Sequence, residues 1–348
     1  MNNEIDNRPR MLIVDGSSLL STCYFAALPE EVKKAKTEEE KEAAYGNLLQ
    51  NSEGVYTNGI LGMARTLVHF IEEWKPDYLA VAFDKSRNTF RKKKCETYKA
   101  QRGKTPQPLK DQMILMEQIL SESGIPVFIS DNYEADDIAG SIAEKYKKDM
   151  KISLLTKDRD YLQLVDDECQ VTCLILSDKK KAGDFRLIYQ VPESEMDCMK
   201  NIMEFTAERV KGEKGVWPNQ IADLKAIEGD TSDNISGIKG VSTTTAIPLL
   251  EEYGNIERIY EVLEEAGDDK EMLGKLWQMW KDCFGLKRNP IRYLQTGKED
   301  AITSKWLATI VRDIVIPDFT RYPVSKIRID VFNNWMDRLE IRNIRLKK

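Results

Sequence analysis

Short apolar runs alternate with amphipathic segments along the first half of the chain. The runs end in polar or glycine residues, as buried strands of a parallel sheet do, and the segments between them carry apolar residues at helical spacing. This alternation predicts an α/β fold with a mostly parallel central sheet flanked by helices. The predicted strands are 11–16, 77–84, 125–130, 151–156 and 170–176, and the predicted helices are 59–74, 108–123 and 136–148.

Beyond about residue 200 the pattern becomes helical, with helices predicted at 219–227, 243–253, 255–266 and 271–284. No strong linker separates the halves, so we expect a helical lobe folded onto the core. The charged insertion 31–53 has helical propensity but no evident core face, and the last thirty residues are ambiguous between strand and helix. The predicted division is a core at 1–200 with a basic segment near 84–123, a lobe at 201–300, and a C-terminal segment at 301–348 that packs back on the core.

Composition narrows the class of protein. The chain has 348 residues, 41% hydrophobic and 32% charged, as in soluble globular proteins. It has no run of 18 apolar residues and no apolar region near the N-terminus, which argues against a membrane span or a secretory signal and favours the cytoplasm. Six cysteines without a C-x-x-C pair are expected to be reduced thiols. A single histidine, His69 in a helical pattern, leaves almost no material for a zinc site or a Ser-His-Asp mechanism.

The charge distribution is more informative than the net charge of −6, which by itself argues mildly against nucleic acid as a partner. Segment 84–104 contains nine lysines and arginines and only two acids. Basic blocks are commonly solvated surfaces. This one also contains Phe90 and Tyr98, and the mixture of cations with aromatic rings suits a protein that holds phosphates and stacks on a base.

Acidic residues follow four of the predicted strands. Ligands of an open parallel sheet bind outside the carboxyl ends of its strands, so these side chains are expected at one edge. Each acid alone would be ordinary turn chemistry, and those near 136 also suit the first turn of a helix. Together they would be unfavourable in one cleft without cations. The acids are Asp15, Asp84, Asp131, Glu134, Asp136, Asp137, Asp158 and Asp160.

Mg²⁺ and Mn²⁺ prefer carboxylate oxygens, and a pair of such ions is the usual device for attack on a phosphodiester. The residues therefore predict a metal-dependent phosphoryl-transfer enzyme. A second acidic pair, Asp230 and Asp233, lies in the helical lobe. The sequence after it, ISGIKGVSTTTAIPLL, is similar to a helix-hairpin-helix (about 221–253), in which glycines let backbone amides approach a phosphate.

These motifs together resemble one family. LIVDGSSLLSTCYFA, VAFDKSRNTFRKKKCETYKAQR, YEADDIAGSIA, LLTKDRDYLQLV, IEGDTSDNISGIKGVSTTTA and SKWLATIVRD occur in the order and approximate spacing of the 5′ nucleases. That family comprises the 5′→3′ exonuclease domain of bacterial DNA polymerase I, its stand-alone relatives and flap endonucleases. The resemblance covers roughly 11–313 and implies a PIN-like fold.

The resemblance implies nine metal-binding carboxylates. The group at the strand ends would chiefly hold the first ion, and Asp160, Asp230 and Asp233 would serve the second. None of the nine is missing, which favours an active enzyme with two or more Mg²⁺ or Mn²⁺ ions. Asp131 matches no family position. The nine are Asp15, Asp84, Glu134, Asp136, Asp137, Asp158, Asp160, Asp230 and Asp233, of which Asp15 and Asp137, together with Lys99, are the predicted catalytic residues.

The resemblance also implies a nucleic-acid interface. The basic segment would lead into an arch over a single-stranded 5′ end, with Tyr98 stacking on a nucleotide and Lys99 and Arg102 reaching the phosphate that is cut. Lys99 would stabilise the charge that develops there. Arg87 and Arg91 would face other phosphates, and the hairpin would hold duplex DNA through Gly237, Gly240 and Ser242.

The hairpin departs from the family pattern. Ser242 replaces its second glycine, Thr244 replaces the lysine that usually follows, and Pro248 interrupts a helix interior. These changes weaken the expectation of tight duplex binding and of a K⁺ ion at the hairpin.

The function implied is structure-specific 5′→3′ exonuclease and flap-endonuclease activity on DNA, in primer removal or DNA repair, by a monomer that does not bind membranes. The chain contains no polymerase sequence, which indicates a stand-alone nuclease or one part of a longer protein. Two alternatives stay open: a non-catalytic junction-binding homologue, and a PIN-like ribonuclease, which would not explain the acidic and glycine-rich lobe.

Overall fold

The computed structural model of the chain describes residues 6–191 and 200–347. Six strands form one sheet in the order β3-β2-β1-β4-β5-β6, and all neighbours are parallel except β5 and β6. The strands are β1 (Arg10–Asp15), β2 (Tyr78–Asp84), β3 (Val127–Ser130), β4 (Lys151–Thr156), β5 (Val171–Leu176) and β6 (Ile202–Phe205).

Helices cover both faces of this sheet. Those of the first half are α1 (Gly16–Ala26), α2 (Glu30–Lys34), α3 (Glu38–Ala44), α4 (Asn58–His69), α5 (Phe90–Lys94), α6 (Gln107–Glu122), α7 (Ala135–Tyr146) and α8 (Lys179–Ile188). Those of the second half are α9 (Ala207–Lys214), α10 (Ile221–Glu228), α11 (Thr243–Tyr253), α12 (Ile256–Ala266), α13 (Lys270–Phe284), α14 (Ile291–Thr296), α15 (Lys298–Ala308) and α16 (Ile329–Arg338). These helices pack on the sheet and form two apolar cores, one on each of its faces.

The register of the central strands sets the position of the acids. β1 lies between β2 and β4, with Val14 opposite both Val81 and Leu155. All three strands run in the same direction and are buried almost throughout. Their carboxyl ends therefore meet at one edge, where Asp15 and Asp84 are the last residues of β1 and β2.

The C-terminal segment returns to the core. Ile310, Ile316 and Phe319 pack into the core shared with α7, and Phe332 of α16 packs into the core on the other face of the sheet. The side chain of Trp335 donates a hydrogen bond to Glu122 at the end of α6, at 2.7 Å. The segment thus ties together parts of the chain that are far apart in sequence.

Most predicted elements form within a few residues of their expected bounds. The helix predicted at 59–74 ends in one π-helical turn, Phe70–Trp74, and the ambiguous C-terminal region forms α16. The antiparallel strand β6 was not predicted, because its four residues lie beside a pattern that is otherwise helical. Cys23, Cys95, Cys169, Cys173 and Cys283 are free thiols, while Cys198 lies outside the described residues. Among the described residues, no helix is both long and apolar enough to cross a membrane.

Candidate metal centre and nucleic-acid interface

Asp15 is fixed at the end of β1, where the chain turns directly into α1. It is the N-cap of that helix and accepts hydrogen bonds from the backbone N–H of Ser18 at 2.9 Å and from the hydroxyl of Thr156 at 2.8 Å. Thr156 is the last residue of the neighbouring strand β4, so two strand ends position one carboxylate. The Asp15 side chain is buried, and both of these hydrogen-bond donors are neutral groups.

Four further acids lie beside Asp15. Asp84 accepts a hydrogen bond from the backbone N–H of Ala135, the first residue of α7, at 2.8 Å. Glu134 is the N-cap of the same helix, so the start of α7 faces the ends of the strands. These side chains form the strand-edge group, which lines a cleft of about 740 Å³: Asp15, Asp84, Glu134, Asp136 and Asp158.

Electrostatics indicate that this cleft favours a cation. Burial and the nearby charge of Asp84 raise the pKa of Asp15 to about 7. Burial, followed by the charge of Asp137, raises the pKa of Asp136 well above its ordinary value. A divalent cation would relieve this repulsion, and an all-oxygen donor set suits Mg²⁺ or Mn²⁺ better than a softer metal. The residues present therefore fit the metal that the sequence predicts.

A second set of acids, the lobe group, consists of Asp160, Asp230 and Asp233. One carboxylate oxygen from each lies within 4.8 Å of the others. Asp230 and Ile235 close a tight loop through two backbone hydrogen bonds of 2.9 and 2.8 Å, and this loop presents Asp230 and Asp233 towards Asp160. Three acids from two separate parts of the chain thus converge on a possible metal site.

The lobe group already has a counter-ion. Lys225 of α10 forms ion pairs with Asp160 and with Asp230, the latter at 2.6 Å. Burial would raise the pKa of Asp230, but hydrogen bonds from Lys225 and Ser232 outweigh it and lower the pKa to about 2. Burial and the charge of Asp158 raise the pKa of Asp160 to about 6 despite Lys225. The sequence analysis did not identify Lys225, because only the tertiary fold brings it to Asp160.

Lys99 and Arg102 link the two groups. The Nζ of Lys99 lies 2.7 Å from Glu134 and 3.5 Å from Asp233, and Arg102 also pairs with Asp233. Lys99 has a left-handed backbone with φ 52°, and its N–H donates to the carbonyl oxygen of Asp233 at 2.9 Å. Both side chains line the cleft, so a phosphate entering it would meet cations on one side and carboxylates on the other.

Two of the predicted site residues, Arg91 and Asp137, form a buried ion pair with each other. Arg91 and Asp137 form a bidentate pair, with nitrogen–oxygen distances of 2.7 and 2.6 Å, and their side chains are 1% and 0% exposed. Asp137 also accepts from the backbone N–H groups of Glu134 and Val311. Arg91 was expected to face a phosphate, but it is enclosed. Asp137 was expected to bind metal, but its oxygens are occupied in holding the start of α7.

Tyr98 and Arg87 also differ from their predicted roles. Tyr98 is only 3% exposed, and its hydroxyl donates to Glu134 at 3.1 Å, so its ring does not offer a face for stacking. The guanidinium of Arg87 donates to the carbonyl oxygens of Arg102 and Gly103 at 2.9 and 2.6 Å. It closes the basic segment into a compact loop. Asp131, the acid outside the family pattern, is exposed and pairs with Lys85 at 2.9 Å.

The hairpin forms with internal contacts. Gly237 has φ 61°, and a Cβ atom there would lie 2.2 Å from the backbone nitrogen of Gly229, so only glycine fits. Its N–H donates to the hydroxyl of Ser304 at 3.1 Å rather than facing outward. Gly240 has φ 90°. Ser242 precedes α11, which continues through Pro248, and its hydroxyl pairs with that of Thr244 at 2.9 Å.

Comparison with protein families identifies the chain. Residues 10–192 match the 5′-3′ exonuclease, N-terminal resolvase-like domain, and residues 216–329 match the 5′-3′ exonuclease, C-terminal SAM fold. The two matches correspond to the α/β core, which carries the carboxylate cleft, and to the helical lobe. The chain belongs to the 5′-3′ exonuclease family.

Curated relatives agree with this assignment. The 5′-3′ exonuclease of Aquifex aeolicus is 33% identical over 281 residues, covering 78% of this chain and 82% of that protein. DNA polymerase I of Caldicellulosiruptor bescii is 34% identical over 306 residues, covering 88% of this chain but 29% of that protein. The chain therefore spans under a third of the length of that polymerase.

Solved structures agree with the fold. T5 5′-exonuclease with bound zinc ions is similar over 95% of this chain and 98% of that chain, with a TM-score of 0.54 and 19% identity. The catalytic core of Rad2 in complex with a DNA substrate is similar over 95% of this chain and 88% of that chain, with a TM-score of 0.52 and 17% identity. At these identities the similarity shows a shared fold.

Proposed function

We propose that the chain is a structure-specific nuclease that hydrolyses DNA phosphodiesters near 5′ ends and at 5′ flaps. The observation that carries the proposal is a cleft lined by the strand-edge group together with Lys99 and Arg102, two cations that also pair with Asp233 of the neighbouring lobe group. Two relatives named 5′-3′ exonuclease, which this chain matches over most of their length, support the reaction type. Primer removal or DNA repair is the process that such an activity would serve.

The proposed metal is Mg²⁺, with Mn²⁺ as a substitute. The strand-edge group would hold one ion through Asp15, Asp84, Glu134, Asp136 and Asp158, and the lobe group a second. When bound, such ions activate the attacking water and stabilise charge on the attacking and leaving oxygens. Asp137 is omitted from this set because its carboxylate is enclosed in a pair with Arg91. A K⁺ ion at the hairpin has less support, since Ser242 replaces the second glycine of the family pattern.

The chain's own cations would bind and orient the substrate. Lys99 and Arg102 lie between the two groups, so a phosphate bridging the cleft would accept hydrogen bonds from both. Lys99 is the proposed source of charge stabilisation at the reacting phosphorus. To do so it must leave Glu134, to which it is bonded at 2.7 Å. We also propose that the enzyme is cytoplasmic and monomeric and binds no membrane.

The test is cleavage of a DNA duplex carrying a labelled 5′ flap, with Mg²⁺, with Mn²⁺ and with EDTA. Wild-type protein should release the flap only with a divalent ion. Asp136→Asn should reduce the rate at least about 100-fold, since even outer-shell changes at metal sites cost 10- to 100-fold. Asp131→Asn, in the turn that precedes α7, is the matched control and should change the rate less than about twofold, because Asp131 forms only an exposed pair.

Two results would redirect the proposal. Flap binding without turnover under any metal would indicate a junction-binding protein. Cleavage of RNA in preference to the matched DNA would indicate a ribonuclease.

A further inference from the structure

The loop of the helical lobe that presents Asp233 also holds the turn that contains Lys99. This turn spans residues 97–100 and is closed by a hydrogen bond of 3.1 Å from the backbone N–H of Ala100 to the carbonyl oxygen of Thr97. The backbone N–H of Lys99 donates to the carbonyl oxygen of Asp233 at 2.9 Å. The backbone of the lobe is therefore bonded to the backbone of the basic segment at Lys99 itself.

Asn234 is the next residue of this loop, and its side chain contacts the same turn. Its Nδ2 donates to the carbonyl oxygen of Thr97 at 2.7 Å, so that oxygen accepts both the bond that closes the turn and a bond from the lobe. Asn234 has φ 56°, a left-handed conformation that asparagine adopts more readily than most residues. Asparagine fits this position because its backbone tolerates the bend and its amide can donate to the turn.

Lys99 needs such support because its own backbone is strained. Its φ of 52° is also left-handed, and a residue with a long side chain keeps this conformation only where the surrounding contacts enforce it. The ring of the preceding residue, Tyr98, packs in a small apolar cluster that includes Ala222 and Ile235 of the lobe. Contacts from the lobe thus help to hold the backbone conformation of Lys99.

The side chain of Lys99 has a different partner from its backbone. Its Nζ lies 2.7 Å from a carboxylate oxygen of Glu134, which belongs to the strand-edge group. The ammonium group can exchange this carboxylate for a phosphate while the backbone bonds to the lobe stay in place. A fixed backbone then limits the positions that the ammonium group can reach.

We propose that Asn234 is a positioning residue, which acts on the reaction through Lys99 by anchoring the turn at residues 97–100. This inference rests on the proposed function and extends it to a residue outside the predicted metal ligands and phosphate-binding residues. Without the Asn234 amide, the turn keeps its internal bond but loses one anchor to the lobe. The ammonium group of Lys99 is then placed less precisely, and a displacement of about 1 Å at a reacting group can cost about 100-fold in rate.

The kinetic test is steady-state flap cleavage by single and double variants. Asn234→Gly keeps the left-handed backbone accessible and removes the amide. The lost bond is exposed, so the fold should be retained. This variant should lower kcat at least about tenfold and change KM less than about threefold. In a Lys99→Met background Asn234→Gly should have no further effect, because the lysine through which it acts is already missing. Losses that multiply in the double variant would overturn the proposal.

Gln101→Ala is the matched control for the junction between the lobe and the basic segment. It removes another exposed side-chain amide, which donates to the carbonyl oxygen of Thr231 at 2.6 Å, but Gln101 lies outside the turn. This variant should change kcat less than about twofold. A loss equal to that of Asn234→Gly would overturn the proposal, because the contact with the turn would then have no special effect.

Mn²⁺ titration checks that the metal site is intact. Asn234→Gly should bind Mn²⁺ at the lobe group as tightly as wild type, since the backbone that presents Asp233 is retained. A fall in Mn²⁺ affinity as large as the fall in kcat would overturn the proposal and assign the effect to the metal site.

Hydrogen exchange tests the anchoring of the turn without cleavage. It is followed by mass spectrometry on the whole chain in EDTA. Peptides that contain Lys99 and Ala100 should exchange about fivefold faster in Asn234→Gly than in wild type, the change expected for loss of one hydrogen bond. Peptides from α10 should exchange at the wild-type rate.

The outcomes separate this inference from the proposed function. Unchanged exchange in Asn234→Gly would overturn the inference whether or not the wild-type protein cleaves flaps. Normal cleavage by Asn234→Gly despite faster exchange would overturn the inference alone. Faster exchange in the variant, with no cleavage by wild type, would support the anchoring of the turn and remove the nuclease proposal.

Discussion

Asp15 of the strand-edge group and Asp230 of the lobe group are the same chemical group in opposite electrostatic settings. Asp15 is held by a backbone N–H and a hydroxyl, with its pKa raised to about 7. Asp230 is held by an ammonium group, with its pKa lowered to about 2. Neutral donors orient a carboxylate without cancelling its charge, whereas Lys225 cancels part of it. Asp15 therefore depends on an external cation, whereas Asp230 must exchange an internal one for it.

The largest expected effect concerns the pair that supports the strand-edge group. Arg91→Ala leaves Asp137 buried without its counter-ion, and breaking a buried pair in this way typically costs about 3–5 kcal/mol. Urea unfolding should show a loss of that size in the free energy of unfolding. Arg87→Ala, an exposed arginine of the same segment, should cost less than about 1 kcal/mol.

A double variant distinguishes support from metal binding. Arg91→Met with Asp137→Leu should recover only part of the lost stability: no buried charge remains unpaired, but the backbone N–H groups of Glu134 and Val311 lose their acceptor. Retained flap cleavage by this variant would agree with a structural pair. Complete loss of cleavage in a stably folded double variant would restore Asp137 to the metal-binding set.

The next effect is the pH dependence of stability without divalent ions. Asp15 has an ordinary pKa of 3.8 and a folded-state pKa of about 7. Between these values the folded protein binds a proton that the unfolded chain has released, so stability falls as the pH rises through this window. Mg²⁺ should therefore raise the melting temperature more at pH 7.5 than at pH 5.5, measured by calorimetry with and without EDTA.

Two variants sharpen that result. Asp15→Asn should reduce the decline between pH 5.5 and 7.5, leaving the smaller part that comes from Asp160, whose pKa is about 6. Asp230→Asn should leave it unchanged, because the shift of Asp230 runs the other way: its contribution is present above pH 3.8 and is lost as the pH falls towards 2. Identical pH profiles for both variants would contradict the contrast between the two groups.

The smallest effect concerns the internal counter-ion. Lys225→Met should increase Mn²⁺ affinity at the lobe group severalfold, because the incoming ion would no longer displace an ammonium group. Titration followed by electron paramagnetic resonance would measure this change. Lys211→Met, which removes the more exposed pair with Glu251, should not alter it. Weaker Mn²⁺ binding by Lys225→Met would mean that Lys225 positions the acids rather than competing for them.

Periodicity and strand-end chemistry predicted much of the fold and much of the site. Apolar runs such as 11–16 and 151–156 predicted the strands, and the expected parallel arrangement predicted that Asp15, Asp84 and Asp158 would share one edge of the sheet. Strand β6 was missed because four residues carry too little periodic signal. Lys225 was missed because it follows the helical pattern of α10 and nothing local distinguishes it.

The sequence by itself determined which acids lie at the carboxyl edge of the sheet. Side chains at the ends of parallel strands share that edge whatever surrounds them. Only the tertiary structure decided their roles. Asp136 and Asp137 are neighbours in the same acidic motif, yet α7 turns Asp136 towards the cleft and Asp137 towards Arg91. The physical reason is that a helix points successive side chains in different directions. Asp136 therefore faces the open cleft, and Asp137 faces the buried guanidinium of Arg91.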